Sequence, residues 1–399
     1  MATFHAALEI GTSRTVLAIG EADGSGRVKV TCHAEIPSSG IRKSEILDIK
    51  QATQSIKSVL NEIDAKQNDL GLSATVGNAY LVVTGQHVRA VPASGMTQIS
   101  GKINNDALSN VFNHARSMPI AEDRELLDIV EQDYVVDDCA GVINPKGMTG
   151  RLLKLNTLQI VADHKHIQNA RTAADAANID IREPLYATTC AAEAVLEDYE
   201  KKNGVLLLDL GGGSTGYAAY SDSFLVATGV IGVGGDHVTS DIAHAFQTTN
   251  LQAEEIKTSE ACALLRSGEN ASPRIKVPGS SPLLESRTIS RRSLDTVVNA
   301  RLKELFTIIR ETLQDQDVLN RLHAGIVITG GGARLRGIEA LIEQTFGMSV
   351  RIGRPIHVAG LDEEDFPAAY ASIAGALLYA HRNDDSRGSI FDGIRRLFK

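Results

Sequence analysis

The chain has 399 residues, of which 43% are hydrophobic and 22% charged, and a formal net charge of −9. This length and balance predict a globular protein of two or more domains with sizeable cores, not a small stapled module. The acidic charge, with no basic stripe interleaved with aromatics, argues against a nucleic-acid binder. The dispersed Cys32, Cys139, Cys190 and Cys262 form no C-x-x-C pair, which argues against a disulfide framework or a zinc site.

In chain order, the first segment, 6–20, reads as a strand with a carboxylate at Glu9, a turn at Gly11-Thr-Ser13 and a return strand. Alternation over 28–34 completes a meander. The N-terminus has no basic segment and no secretory apolar stretch, so the reading is of a reduced, cytosolic protein. Apolar spacing predicts a helix over 49–65, and 80–84 is a short strand. From Gly85 to Asp180 the pattern changes. Strands at 95–99, 126–136 and 153–162, with helices at 106–116 and 165–177, predict an inserted α+β subdomain.

A helix over 184–199 is expected to feed the stretch Gly204-Val-Leu-Leu-Leu-Asp-Leu-Gly-Gly-Gly-Ser-Thr-Gly-Tyr217. This is a buried strand, a carboxylate at Asp209, a glycine turn with two hydroxyls, and a second strand. Glycine lets backbone N–H groups approach an anion closely, so the turn reads either as a phosphate cradle or as a plain tight hairpin. Two such hairpins in one chain suggest a duplicated domain facing a shared cleft. A glycine-rich turn over 229–235 precedes a helix over 238–246 that Asp236 is placed to cap. The proline- and serine-rich 267–286 reads as a surface loop, 293–313 as a long amphipathic helix, and 324–329 as a buried strand ending in Gly330-Gly-Gly332. The alanine-rich 367–380 reads as a buried helix too short to cross a bilayer.

The tail differs in kind. After a polar linker at 381–388, the helical period places Ile390, Phe391, Ile394, Leu397 and Phe398 on one face and Arg395, Arg396 and Lys399 on the other. So short a helix is marginal alone in water. An anionic membrane surface offers it apolar burial plus roughly 1 kcal/mol per basic residue. Docking on the protein's own core is the alternative. One such anchor binds reversibly, so firm attachment needs several copies held together.

With these stretches in view, the sequence resembles the FtsA family of bacterial cell-division proteins, in the actin-like ATPase superfamily. The resemblance is carried by Glu9-Ile-Gly-Thr-Ser-Arg14, Asp209-Leu-Gly-Gly-Gly-Ser-Thr215, Gly234-Gly-Asp-His-Val-Thr-Ser-Asp-Ile-Ala243 and Ile328-Thr-Gly-Gly-Gly-Ala333. The most specific matches are Ala121-Glu-Asp-Arg-Glu-Leu-Leu127 and Asn144-Pro-Lys-Gly-Met-Thr-Gly150, in the family's extra subdomain.

The resemblance implies an α/β, actin-like (ribonuclease H-like, duplicated) two-lobed fold with an inserted α+β subdomain and a C-terminal amphipathic helix. The first lobe would take 1–84 and 166–200, the insert 85–165, and the second lobe 201–232 and 326–380. A nucleotide-capping and partner-binding part would take 233–325, a linker 381–388 and the membrane helix 389–399. ATP and Mg²⁺ would lie between the lobes. Gly11, Thr12, Ser13 and Arg14 would hold phosphates from one side, and Gly211, Gly212, Gly213, Ser214 and Thr215 from the other. Glu254, Lys257, Gly331 and Gly332 would line the adenosine, with Glu9 and Asp209 reaching the metal, Asp209 through water. The partners implied are the C-terminal peptide of FtsZ at Arg291, Arg301 and Glu304, further copies of the chain in filaments, other division proteins, and the cytoplasmic side of the inner membrane at the division site.

Three positions depart from the family pattern. Glu9 stands where Asp is usual, Arg14 where Lys is usual, and Gly216 where a second carboxylate is usual. Loss of that carboxylate predicts nucleotide binding with at most weak hydrolysis. Two other readings stay open on sequence: a phosphohydrolase of the exopolyphosphatase type, which shares Asp209 to Thr215 but needs Glu where Gly216 stands, and a pilus-assembly adaptor, which is not expected to end in a basic helix.

Overall fold

The computed structural model describes residues 4–22, 27–69, 71, 76–266, 273–279 and 286–385. The tail residues Ile390, Phe391, Ile394, Arg395, Arg396, Leu397, Phe398 and Lys399 lie outside them, as does most of 267–286.

The first lobe opens with the meander β1 (Phe4–Ile10), β2 (Arg14–Ala22) and β3 (Val28–Pro37). A small hairpin follows, β4 (Ile41–Arg42) and β5 (Glu45–Ile46), then α1 (Ile49–Asp69) and β6 (Asn78–Val83). The chain then leaves the lobe for β7 (Arg89–Lys102), α2 (Asn105–Arg116), β8 (Arg124–Val136), β9 (Cys139–Val142) and β10 (Thr149–Asp163). These make a separate four-stranded sheet in the order β7-β10-β8-β9 around a small core that includes Leu108, Tyr134, Leu153 and Leu155. It returns through α3 (His164–Asp175), β11 (Asp180–Tyr186), α4 (Ala187–Val195) and α5 (Asp198–Asn203).

The second lobe repeats the meander with β12 (Val205–Leu210), β13 (Thr215–Ser221) and β14 (Phe224–Ile231). Helices α6 (Gly235–Phe246) and α7 (Asn250–Glu260), the pair β15 (Arg274–Val277) and β16 (Arg287–Ser290), and the long α8 (Arg291–Asp315) come next. The lobe closes with β17 (Ile326–Thr329), α9 (Ile338–Phe346) and β18 (Val350–Ile352). The chain then adds β19 (Val358–Ala359) to the first sheet and ends its described part in α10 (Ala371–Asp385).

The duplication is visible in sheet order. The first sheet runs β11-β6-β1-β2-β3, with β19 on its edge, and the second runs β18-β17-β12-β13-β14. In each, three antiparallel strands are followed by two parallel ones. The inner core lies between the two sheets and is filled by α4 and α10, with Ala7, Val16, Leu207, Ala218, Ala191 and Leu377 all buried in it. The outer face of the first sheet packs on α1 and α3, and that of the second on α6, α7, α8 and α9.

Three expectations are corrected. The helix expected over 184–199 begins later. Pro184, Leu185 and Tyr186 belong to β11, which is an edge strand with a register shift before Pro184, where a missing N–H is tolerated. The helix then breaks after Val195 and resumes as α5. Asp236 does not cap α6: it lies within the helix, whose N-cap is Gly234. The expected loop over 267–286 contains a strand, because Ile275 and Val277 point inward while Arg274 and Lys276 point out.

Candidate functional site

The two glycine hairpins meet at the centre of the molecule and share one geometry. Glu9 pairs with Val16 and Ile10 with Thr15 in the first hairpin, as Asp209 pairs with Gly216 and Leu210 with Thr215 in the second. Gly11 N–H donates to the Arg14 carbonyl at 3.0 Å, and Gly211 N–H to the Ser214 carbonyl at 3.0 Å. An added Cβ at Gly11 or Gly211 would lie 2.8 Å from that same carbonyl oxygen, so both turns need glycine for the same steric reason.

The loops touch across the cleft. A Cβ on Gly212 would fall 1.9 Å from Ser13 Oγ, and one on Gly213 would fall 2.2 Å from Thr12 Oγ1. Ser13 Oγ donates to Asp236 Oδ1 at 3.0 Å. Ser44 Oγ is 3.2 Å and Thr84 Oγ1 is 3.4 Å from Ser214 Oγ. The result is a cluster of hydroxyls and backbone at the facing turns, the donor set that suits a polyphosphate.

The second loop is braced from behind by α6. Gly235 N–H and Asp236 N–H donate to the carbonyls of Gly211 and Gly212 at 3.0 and 2.9 Å, which satisfies two donors of the helix's first turn. Lys257 Nζ donates to the Gly235 carbonyl at 3.1 Å and to Thr239 Oγ1 at 2.9 Å, and pairs with Glu254 at 2.6 Å. Glu254 and Lys257 therefore stand beside the second loop. The third turn closes the same wall. Gly330, at φ 81°, sits so near Asp209 that a Cβ would lie 2.7 Å from Oδ1, and Gly332 lies against Leu210. A Cβ at Gly331 would meet nothing within 4 Å.

Arg14 is placed differently from the expectation that it holds phosphate. Its guanidinium pairs with Glu35, donates to the Ala369 carbonyl, and lies 4.8 Å from the centre of the Tyr370 ring. Gly216 has a packing reason. Its Cβ would fall 2.1 Å from Thr188 Oγ1 on α4, so the place a carboxylate would take is filled.

The two acidic residues press on each other. Burial, then the charge of Glu9, pushes Asp209 up to about 7, with Arg14 opposing. Burial also raises Glu9, against the Arg14 charge and the hydroxyl of Ser372, which donates to Glu9 Oε2 at 2.8 Å. A carboxyl held above its unfolded value near 3.8 favours the fold while protonated. Stability contributed by Asp209 is therefore present below about pH 4 and lost as pH rises through about 7. Thermal denaturation across this window should show a midpoint that falls with rising pH. Asp209→Asn should flatten the dependence and raise the midpoint at the alkaline end; an unchanged slope would count against the repulsion.

Several of these positions escape sequence motifs. Ser44, Thr84 and Ser372 reach the site from three different elements, and only the fold brings them together. The tip of the β4–β5 hairpin is the most unusual. Lys43 and Ser44 form its two-residue turn at φ 51° and 62°, where hairpins of this kind normally use Asn and Gly. Such backbone costs about 1–3 kcal/mol per residue and persists only where the surroundings enforce it.

The proposed partner residues are tied within the molecule. Arg301 makes a two-pronged pair with Asp241 of α6, at 2.6 and 3.1 Å, and reaches Glu304 at 2.7 Å. Arg291 pairs with Glu260 at 2.5 Å. On another face of α8, that helix, α9 and the segment at Leu264 and Leu265 enclose a groove of about 530 Å³ lined by Asn299, Lys303, Thr307 and Arg310, and none of Arg291, Arg301 and Glu304 lines it.

The family model described as "Cell division protein FtsA" matches residues 206–375. A second, described as "SHS2 domain inserted in FTSA", matches residues 85–161, the separate sheet. The cell division protein FtsA of Pseudomonas aeruginosa is 34% identical over 375 residues, covering 93% of this chain and 88% of that protein. This chain belongs to the FtsA family. FtsA of Escherichia coli K12 is 30% identical, covering 98% of this chain and 95% of its own, and FtsA of Borreliella burgdorferi is 30% identical over 379 residues, covering 94% and 90%. The fold is similar to a PilM-PilN type IV pilus biogenesis complex, with TM-score 0.65, 17% identity, and 94% and 98% of the two chains covered. It is also similar to MreB 5 of Spiroplasma citri bound to AMPPNP, with TM-score 0.56, 13% identity, and 97% and 99% covered. At those identities the likeness is one of actin-like fold. Membership of the FtsA family makes this a cell-division protein and sets aside the phosphohydrolase and pilus-adaptor readings.

Proposed function

We propose that this FtsA-family chain binds ATP with Mg²⁺ between its lobes, self-associates, and joins FtsZ filaments to the cytoplasmic face of the inner membrane. The observation that carries the nucleotide part is the pair of matched glycine turns facing each other across the lobes. They offer backbone N–H groups and the hydroxyls of Thr12, Ser13 and Ser214 to phosphates, Thr215 bracing the loop by donating to the Val233 carbonyl, while Glu254, Lys257, Gly331 and Gly332 stand on the adenosine side. Glu9 and Asp209 fit a hard divalent cation, since a positive charge between them would offset the burial and the Glu9 charge that raise Asp209. When bound, that ion would offset phosphate charge. With Gly216 packed on Thr188, no second carboxylate stands in the loop to orient water, so binding is favoured over rapid turnover.

For FtsZ, the groove lined by Asn299, Lys303, Thr307 and Arg310 offers what the internally paired Arg291, Arg301 and Glu304 lack. Lys303, Arg310 and the exposed Leu265 suit a peptide with acidic and apolar side chains, and Arg310 Nε has no hydrogen-bond partner among the described residues. Lys303→Glu with Arg310→Glu should weaken capture of the FtsZ C-terminal peptide about tenfold or more by fluorescence anisotropy. Unchanged affinity would move the site elsewhere.

Among the described residues no helix is long and apolar enough to cross a membrane; the attachment proposed is through the segment 389–399, on its basic amphipathic pattern. Co-sedimentation with vesicles containing phosphatidylglycerol tests it. The full chain should pellet with the vesicles, more strongly with ATP, and a chain lacking 387–399 should stay in the supernatant. Pelleting that survives the deletion would sink the tether.

A further inference from the structure

We infer that Lys43 is the cation that binds the terminal phosphate of a nucleoside triphosphate in this cleft, carried there by the strained tip of the β4–β5 hairpin. The inference rests on the nucleotide reading above and names a contact that reading lacks.

The tip is pinned to both loops at once. Ser44 N–H donates to Thr12 Oγ1 of the first loop at 2.8 Å, and Ser44 Oγ is 3.2 Å from Ser214 Oγ of the second. The backbone of Lys43 abuts the second loop, since a Cβ on Gly213 would lie 3.3 Å from Lys43 Cα. These contacts hold Lys43 and Ser44 in the left-handed region without glycine. Strain of this kind gathers where a side chain has to be presented.

Charge singles out the lysine. Glu9, Asp209 and Asp236 make the facing loops acidic, so a polyphosphate needs cations there. Arg14 is committed to Glu35, the Ala369 carbonyl and Tyr370, and Lys257 to Glu254, Thr239 and the Gly235 carbonyl. Lys43 is exposed and makes no ion pair among the described residues. Its charge reaches the first turn of α6, where it lowers the pKa of His237, second in effect to burial.

Position along the second loop selects which phosphate. The Gly211 end of that loop backs onto Gly235 and Lys257, on the adenosine side. The Gly213 and Ser214 end faces Lys43, Ser44 and Thr12, which is the far end of a bound triphosphate. An ammonium there acts as a point charge on the group that distinguishes ATP from ADP.

The test is calorimetric titration of the full chain with ATP and with ADP, each with Mg²⁺. Lys43→Met, which keeps the stem and removes the charge, should weaken ATP about tenfold or more while leaving ADP within about twofold; Lys43→Arg should retain most of the ATP affinity. Because Lys43 is exposed, Lys43→Met should melt like the parent without nucleotide. Equal losses for ATP and ADP, or no loss for ATP, overturn the inference. A parent chain that binds ATP beside an unaffected Lys43→Met overturns the inference alone. A parent chain that binds neither nucleotide overturns the cleft reading and this inference together.

Discussion

Replacing Gly375 by alanine is expected to destabilise the protein by about 3 kcal/mol, although glycine to alanine inside a helix ordinarily stabilises it by about 1 kcal/mol. The reversal comes from one contact. A Cβ on Gly375 would lie 1.8 Å from the carbonyl oxygen of Cys190 and 2.3 Å from its carbonyl carbon, both in the backbone of α4. A side chain could rotate away; a helix backbone cannot. The extra methyl therefore has to push α10 off α4, and these two helices fill the core between the sheets. Each neighbouring contact then loses part of its dispersion energy. Urea denaturation followed by circular dichroism measures the change. Gly331→Ala, whose Cβ would meet nothing within 4 Å, is the control and should leave stability close to that of the parent. A Gly375→Ala midpoint at or above the parent's would show that the helices do not approach this closely.

The second large effect is expected at Gly213→Ala, and it should fall on ligand affinity. The added Cβ would meet Thr12 Oγ1 at 2.2 Å, Thr12 Cβ at 3.0 Å and Lys43 Cα at 3.3 Å, all on the opposite lobe. The hydroxyl can turn aside, but Thr12 Cβ and Lys43 Cα cannot, so the facing loops must move apart by a few tenths of an ångström. Parting lengthens every contact a phosphate makes with one loop or the other. On the nucleotide reading, ATP affinity should drop by about a hundredfold, a change of about 2.7 kcal/mol. The fold should survive, because the clash lies between lobes and not within either core. Titration with a fluorescent ATP analogue, beside a circular dichroism spectrum, separates the two. Parent-like affinity would place the phosphates outside the facing turns.

Much of this was legible in the chain. Each glycine hairpin announces itself because a run of strand formers ends in a carboxylate and a turn that only glycine can make. The inserted subdomain shows as a change of period. What local pattern hides is anything settled by tertiary packing. Pro184 to Tyr186 read as helix because the residues after them are helical, but pairing with β6 decided the issue. Asp236 looked like a cap because it precedes an apolar run, yet Gly234 and the carbonyls of the second loop satisfy that helix end. Arg14 lies in the first turn as the motif requires, and its long side chain turns instead to Glu35, Ala369 and Tyr370, which are far apart in sequence. Lys43 and Ser44 give no turn signal at all, since their hairpin uses residues that hairpins avoid.

Helix α10 has two ends with separate duties. At its start, Ser372 holds the Glu9 carboxylate and the preceding Ala369 carbonyl takes the Arg14 guanidinium. Toward its end, Tyr379 donates to Glu183 at 3.0 Å and Arg382 to Glu193 at 2.8 Å. From Ser372 to Asp385 the helix rises about 20 Å as one hydrogen-bonded rod. The segment with the basic amphipathic pattern, 389–399, begins a few residues after it in sequence. On the tethering proposed above, a pull on that segment would reach a stiff strut that ends at the carboxylate of the first turn, so mooring and the state of the cleft would share one mechanical part.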